Sequence, residues 1–236
     1  MCSDKTRTTI AVIYRQTVLG VLYAITIIGY QYLYPNQHFN VLNFLLLNRY
    51  LTVATFASIT IYFSTATLFQ LCNFNALNSY FYTIVFTFGL AAMLIHWLVF
   101  ITNPNFMNTI PDLKNLPTWY NHIYSSIGPV LLLIDVLIWR PKRVRLLISL
   151  AVTSTLVIAY MVYIEVVILK HAISIYPKLD TLPYYYRYPV YCGVLLSISL
   201  INLLAYLLVR LLSQNEKLTD ADEESTKPED KMKASD

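Results

Sequence analysis

Residues 146–169 read LLISLAVTSTLVIAYMVYIEVVIL, and this run decides the fold. Its one charged side chain is Glu165, and neither Gly nor Pro interrupts it. A helix needs about 20 mostly apolar residues to cross the hydrocarbon core of a bilayer. In hydrocarbon every backbone N–H and C=O must be paired, and a helix pairs them within itself. A barrel would instead show short alternating strands of about ten residues. The run does not alternate, so it reads as a transmembrane helix.

Working outward, five further apolar segments appear, at about 10–34, 51–71, 79–101, 121–139 and 189–211. Pro35-Asn36, Asn103-Pro104 and Pro111 mark loops between them. The first segment is too long for a signal-peptide core and lacks a small-residue cleavage site, so an uncleaved span is expected. Tyr30, Tyr32, Tyr34, Trp119, Tyr120, Trp139, Tyr184 to Tyr186, Tyr188 and Tyr191 cluster at segment ends, as interfacial aromatics do. Composition agrees: 57% of residues are hydrophobic and 13% charged, where a soluble domain carries about 25% charged residues. The expected fold is all-α, a polytopic bundle of about six spans within residues 1–212. Residues 213–236, rich in Glu, Asp, Lys and Ser, read as a disordered tail.

Lys and Arg placement gives an orientation. Lys5, Arg7, Arg15, Arg140, Lys142, Arg143, Arg145 and Arg210 fall on one side of a six-span layout. Arg49, Lys114, Lys170, Lys178 and Arg187 fall on the other. The positive-inside rule then makes both termini cytosolic. The cysteines, Cys2, Cys72 and Cys192, are odd in number and form no C-x-x-C pair, which argues against a disulfide framework. Neither a metal nor a cofactor is expected, and the net charge of +4 gives no reason to expect a nucleic-acid partner. The endoplasmic reticulum membrane is the default location for a multi-pass chain with no other address.

Ionisable and nucleophilic groups inside spans are costly and are functional candidates by default. Thr52 opens the second span and His122 the fourth. Both helices enter from the same face, so the two side chains lie at similar depth. A threonine hydroxyl beside a base is a nucleophile; alternatively Thr52 serves helix packing with the hydroxyls of Thr55, Ser58, Thr60, Ser64, Thr65 and Thr67. His122 is either that base or an interfacial histidine bonded to a loop carbonyl. Glu165, near the outer end of the fifth span, either orients His122 or pairs locally with Lys170 or His171. His96 is an alternative base or a packed histidine. Asp135 lies about 20 Å beyond His122 along the helix, so a pair with Arg140 is expected instead. Pro129 removes a helix hydrogen bond and crowds the carbonyl of Ser125.

The segment Pro117-x-Trp119-x-Asn121-His122, Asp135 after it, Tyr176-Pro177 and Leu51-Thr52 resemble the androgen-induced-gene family, which includes androgen-dependent TFPI-regulating proteins. The resemblance covers about residues 49–212. It implies about six spans and hydrolysis of fatty-acid esters of hydroxy fatty acids. The nucleophile would be the threonine matching Thr52, and the catalytic histidine would be the second in a pattern N-H-x-x-H-T. Here the sequence reads Asn121-His122-Ile123-Tyr124-Ser125-Ser126, so Ser125 stands where that histidine is expected. The expected function is a membrane-embedded lipid-ester hydrolase, with Thr52 and His122 catalytic and Asn121, Ser125 and Glu165 supporting. Its partner would be a membrane lipid or fatty-acid ester. The alternative is a non-catalytic membrane protein that binds lipid or a partner. A transporter using Glu165, His96 and His122 is a third reading, disfavoured by the absence of repeats and the presence of only five glycines.

Overall fold

The structure is a computed structural model that describes residues 4–34, 50–103, 116–139, 141–171 and 182–225. Six helices account for nearly all of them: α1 Asp4–Leu33, α2 Leu51–Leu71, α3 Asn75–Thr102, α4 Thr118–Trp139, α5 Leu146–His171 and α6 Tyr184–Ser225. All six are long and apolar enough to cross a membrane. The expected multi-span helical fold is what the chain adopts.

Several boundaries differ from the sequence reading: α1, α3 and α4 begin three to six residues earlier than expected, and α6 differs at both ends. Helix α6 begins one turn before Pro189, which sits inside it. It also runs to Ser225, so the charged segment read as a disordered tail is helical up to that residue. Glu216, Lys217, Leu218 and Ala221 are good helix formers, which favours continuation once the span has nucleated it. The membrane-compatible part of α6 ends at Ser213.

Helix α3 is the hub, packing on α2, α4, α5 and α6, while α1 packs on α2 and α4. The main core is built mostly by α1 to α4, with Leu22, Phe56, Ile59, Tyr62, Phe63, Tyr82, Leu132 and Val136, and takes in Ala205 and Val209 of α6. A smaller core, Ala91, Val157, Ile198 and Ile201, joins α3 to α5 and α6. Large apolar side chains such as Ile13, Leu98, Leu147 and Leu196 face outward. That exterior suits lipid, and in lipid there is no hydrophobic force to press helices together. Close packing and buried polar bonds must do it instead. At Gly128 an added Cβ would collide with Ile59, and at Gly29 with the Tyr120 ring, whose hydroxyl donates to the Ile25 carbonyl at 2.7 Å. Asn202 of α6 donates to Thr87 of α3 at 3.2 Å and to Thr153 of α5 at 3.0 Å.

The α2–α3 turn is tight. The Phe74 N–H donates to Phe69 O at 2.7 Å and the Asn73 N–H to Gln70 O at 3.2 Å, a Schellman pair. Asn73 takes φ 59° to make it. Asparagine tolerates this left-handed region better than most residues with a side chain. The turn makes α2 and α3 antiparallel neighbours and sets which of their residues meet.

Candidate functional site

Helices α2 and α4 lie side by side and run in the same direction. Phe56 stacks on Tyr124 with centroids 4.1 Å apart, and Ile59 meets Gly128. Stepping back one turn from these contacts brings Thr52 level with Tyr120 and Asn121. Thr52 shares the helix face of Phe56, since positions four apart are neighbours. It is half-buried, and among the described residues its hydroxyl has no hydrogen-bond partner. Its neighbours along α2 do what packing hydroxyls do. Ser58, Thr60, Ser64 and Thr65 each donate to the carbonyl four residues earlier at 2.8–3.0 Å.

His122 points the other way, toward α3. Its Nδ1 lies 3.0 Å from Nε2 of His96. Trp97 stacks on the His122 ring at 4.9 Å, and Phe100 meets it edge-on at 4.4 Å. Trp97 is itself anchored, its indole N–H donating to Ser126 Oγ at 2.9 Å. One stretch of α3 thus holds the imidazole from three sides. Asn121 and Ser125 are buried on the stripe of α4 that faces the bundle interior, and Thr52 lies at the same level on α2. Among the described residues no hydrogen bond joins Thr52 to His122. The site is therefore a polar patch at one end of the α2–α3–α4 junction, with a hydroxyl and an imidazole at equal depth on different walls.

Glu165 is elsewhere. It accepts from the Tyr191 hydroxyl at 2.5 Å and pairs with Arg187 at 3.4 Å, both on α6. It is bound within the α5–α6 pair and makes no hydrogen bond to His122. The side chains of Lys170 and His171, its expected local partners, lie outside the described residues.

Asp135 overturns a sequence expectation. Arg140 lies outside the described residues, and the partner of Asp135 is Arg15 of α1. Arg15 Nε donates to Oδ1 at 2.8 Å and Nη2 to Oδ2 at 3.1 Å, while Tyr62 donates to Oδ2 at 2.6 Å. Arg15 also donates to Gln70 Oε1 at 2.8 Å and lies 5.1 Å from the Trp139 ring. Both charges are fully buried. The reason is helical phase. Asn121, Ser125, Gly128, Leu132 and Asp135 form one inward stripe, so Asp135 faces the core, not the membrane surface. The signal was present in the sequence as a lone Arg and a lone Asp within two apolar runs. Counting Arg15 among the surface cations hid it. Elsewhere in the bundle the hydroxyls of Tyr82 and Thr67 and the amide of Asn78 are buried without partners among the described residues.

The His96–His122 pair was also beyond the sequence, because 26 residues and a loop separate the two rings. Among the described residues no group of three or more His, Cys, Asp or Glu is arranged to hold a metal ion. Comparison of the chain with family models, curated proteins and solved structures finds no match.

Proposed function

We propose that this protein is a membrane-embedded hydrolase of lipid esters, with Thr52 as nucleophile and His122 as general base. One observation carries the reading: an imidazole held by three neighbours stands at the depth of a threonine hydroxyl that has no hydrogen-bond partner among the described residues. A lipid ester entering from the bilayer would present its carbonyl between the two walls. Thr52 Oγ would bond to the carbonyl carbon as its proton passes to His122 Nε2. Asn121 and Ser125, buried at the same junction, are the candidate donors to the oxyanion. Collapse expels the alkoxide, which takes the proton from His122. Water then cleaves the acyl-threonine by the same relay. Thr52 and His122 face different walls, so the reading requires their hydrogen bond to form only when substrate binds, as catalytic hydrogen bonds often do.

The resemblance to the androgen-induced-gene family supports fatty-acid esters of hydroxy fatty acids as the substrate class. The endoplasmic reticulum membrane is the default location for a multi-pass chain with no other address, and the basic residues favour cytosolic termini. A second reading, a non-catalytic lipid-binding protein, is favoured by Ser125 where that family carries its catalytic histidine. Turnover of such an ester by the full chain in nanodiscs separates the two. The hydrolase reading expects Thr52→Ala to abolish turnover and expects a covalent serine/threonine-hydrolase probe to label the native chain at Thr52. Absent turnover and absent labelling, with Ser125→His creating both, would establish the second reading.

A further inference from the structure

We propose that His96 is a positioning residue that holds His122 in the one tautomer able to act as a base. The inference rests on the reading of His122 as general base. An imidazole that takes a proton at Nε2 must carry its own hydrogen on Nδ1, and a neighbouring acceptor must hold that hydrogen in place. In familiar hydrolases a carboxylate does this. Here Glu165 is engaged by Arg187 and Tyr191, and Asp135 by Arg15 and Tyr62. The group at His122 Nδ1 is His96 Nε2, at 3.0 Å.

The surroundings favour a positioning role over a packing one. His96 is 4% exposed, and its Nδ1 has no partner among the described residues. When His96 Nε2 accepts from His122, that Nδ1 carries a hydrogen with nowhere to donate it. A buried orphan of this kind is costly, and an apolar side chain of similar size would remove the cost. What sets His96 apart from a packing residue is the contact its other nitrogen makes with His122 Nδ1. Trp97, stacked on His122 and tied to Ser126, fixes the ring plane, and His96 fixes the proton. Among the described residues no carboxylate orients His122, and the second histidine supplies that orientation.

The test uses the full chain in nanodiscs with 15N-labelled histidine, and long-range 1H–15N correlations report the tautomer of His122. The native chain is expected to show His122 with its hydrogen on Nδ1. His96→Leu is expected to shift His122 to the Nε2–H form without lowering thermal stability. His96→Gln, whose Oε1 also accepts, is expected to restore the Nδ1–H form. In ester hydrolysis, His96→Leu should lower kcat at least about tenfold with little change in KM, and His96→Gln should recover most of it. A native His122 protonated on Nε2, or a tautomer unmoved by His96→Leu, overturns the proposal. Should turnover prove independent of Thr52, the hydrolase reading fails, and the tautomer data still decide what His96 does.

Discussion

The buried Arg15–Asp135 pair makes the sharpest statement about stability. Asp135 receives three hydrogen bonds, two from Arg15 and one from Tyr62, and neither charge meets solvent. Removing one partner leaves the other as an uncompensated charge inside the bundle. Such a loss costs about 3–5 kcal/mol, whereas replacing both partners by apolar residues is often neutral or stabilising. Arg15→Met and Asp135→Leu should therefore each destabilise by about 3–5 kcal/mol, while the double variant should fall within about 2 kcal/mol of the native chain. Independent effects would instead sum to about 6–10 kcal/mol. Thermal unfolding in detergent, followed by tryptophan fluorescence, suits the question because Trp139 lies against Arg15. A double variant as unstable as the sum of the singles would refute the reasoning.

Two further outcomes follow from local geometry. Asn73 holds φ 59° in the α2–α3 turn, so Asn73→Val should cost about 1–2 kcal/mol and Asn73→Gly almost nothing by the same unfolding assay; equal costs would show that the turn does not require the left-handed conformation. Cys72, exposed at that turn, lies at the end of the bundle where α1 begins. With Cys2 and Cys192 replaced by Ser, an impermeant maleimide should label Cys72 once digitonin opens the plasma membrane, and labelling only after full detergent solubilisation would reverse the proposed orientation.

The spans were legible because a bilayer imposes a single, long, apolar pattern on a helix. Leu146 to Leu169 could hardly be anything else. Which helices touch was not legible, because apolar residues around the whole circumference erase the amphipathic stripe that shows a soluble helix's inner face. Depth can be counted along the chain, which is why Thr52 and His122 were read at one level. That His122 turns to α3 and Asp135 to α1 depends on helix phase and neighbour identity, which pattern does not carry. Polar residues held the missing information. Arg15, Asp135, His96 and Asn202 each mark a helix–helix contact, and pairing them by depth would have recovered much of the bundle.

Hydrolysis of a fatty-acid ester of a hydroxy fatty acid by the full chain in nanodiscs, native beside Thr52→Ala, tests the central claim most directly. The account predicts turnover by the native chain and its loss in the variant, with an acyl group trapped on Thr52 in the native chain. Equal turnover by the two chains would contradict it.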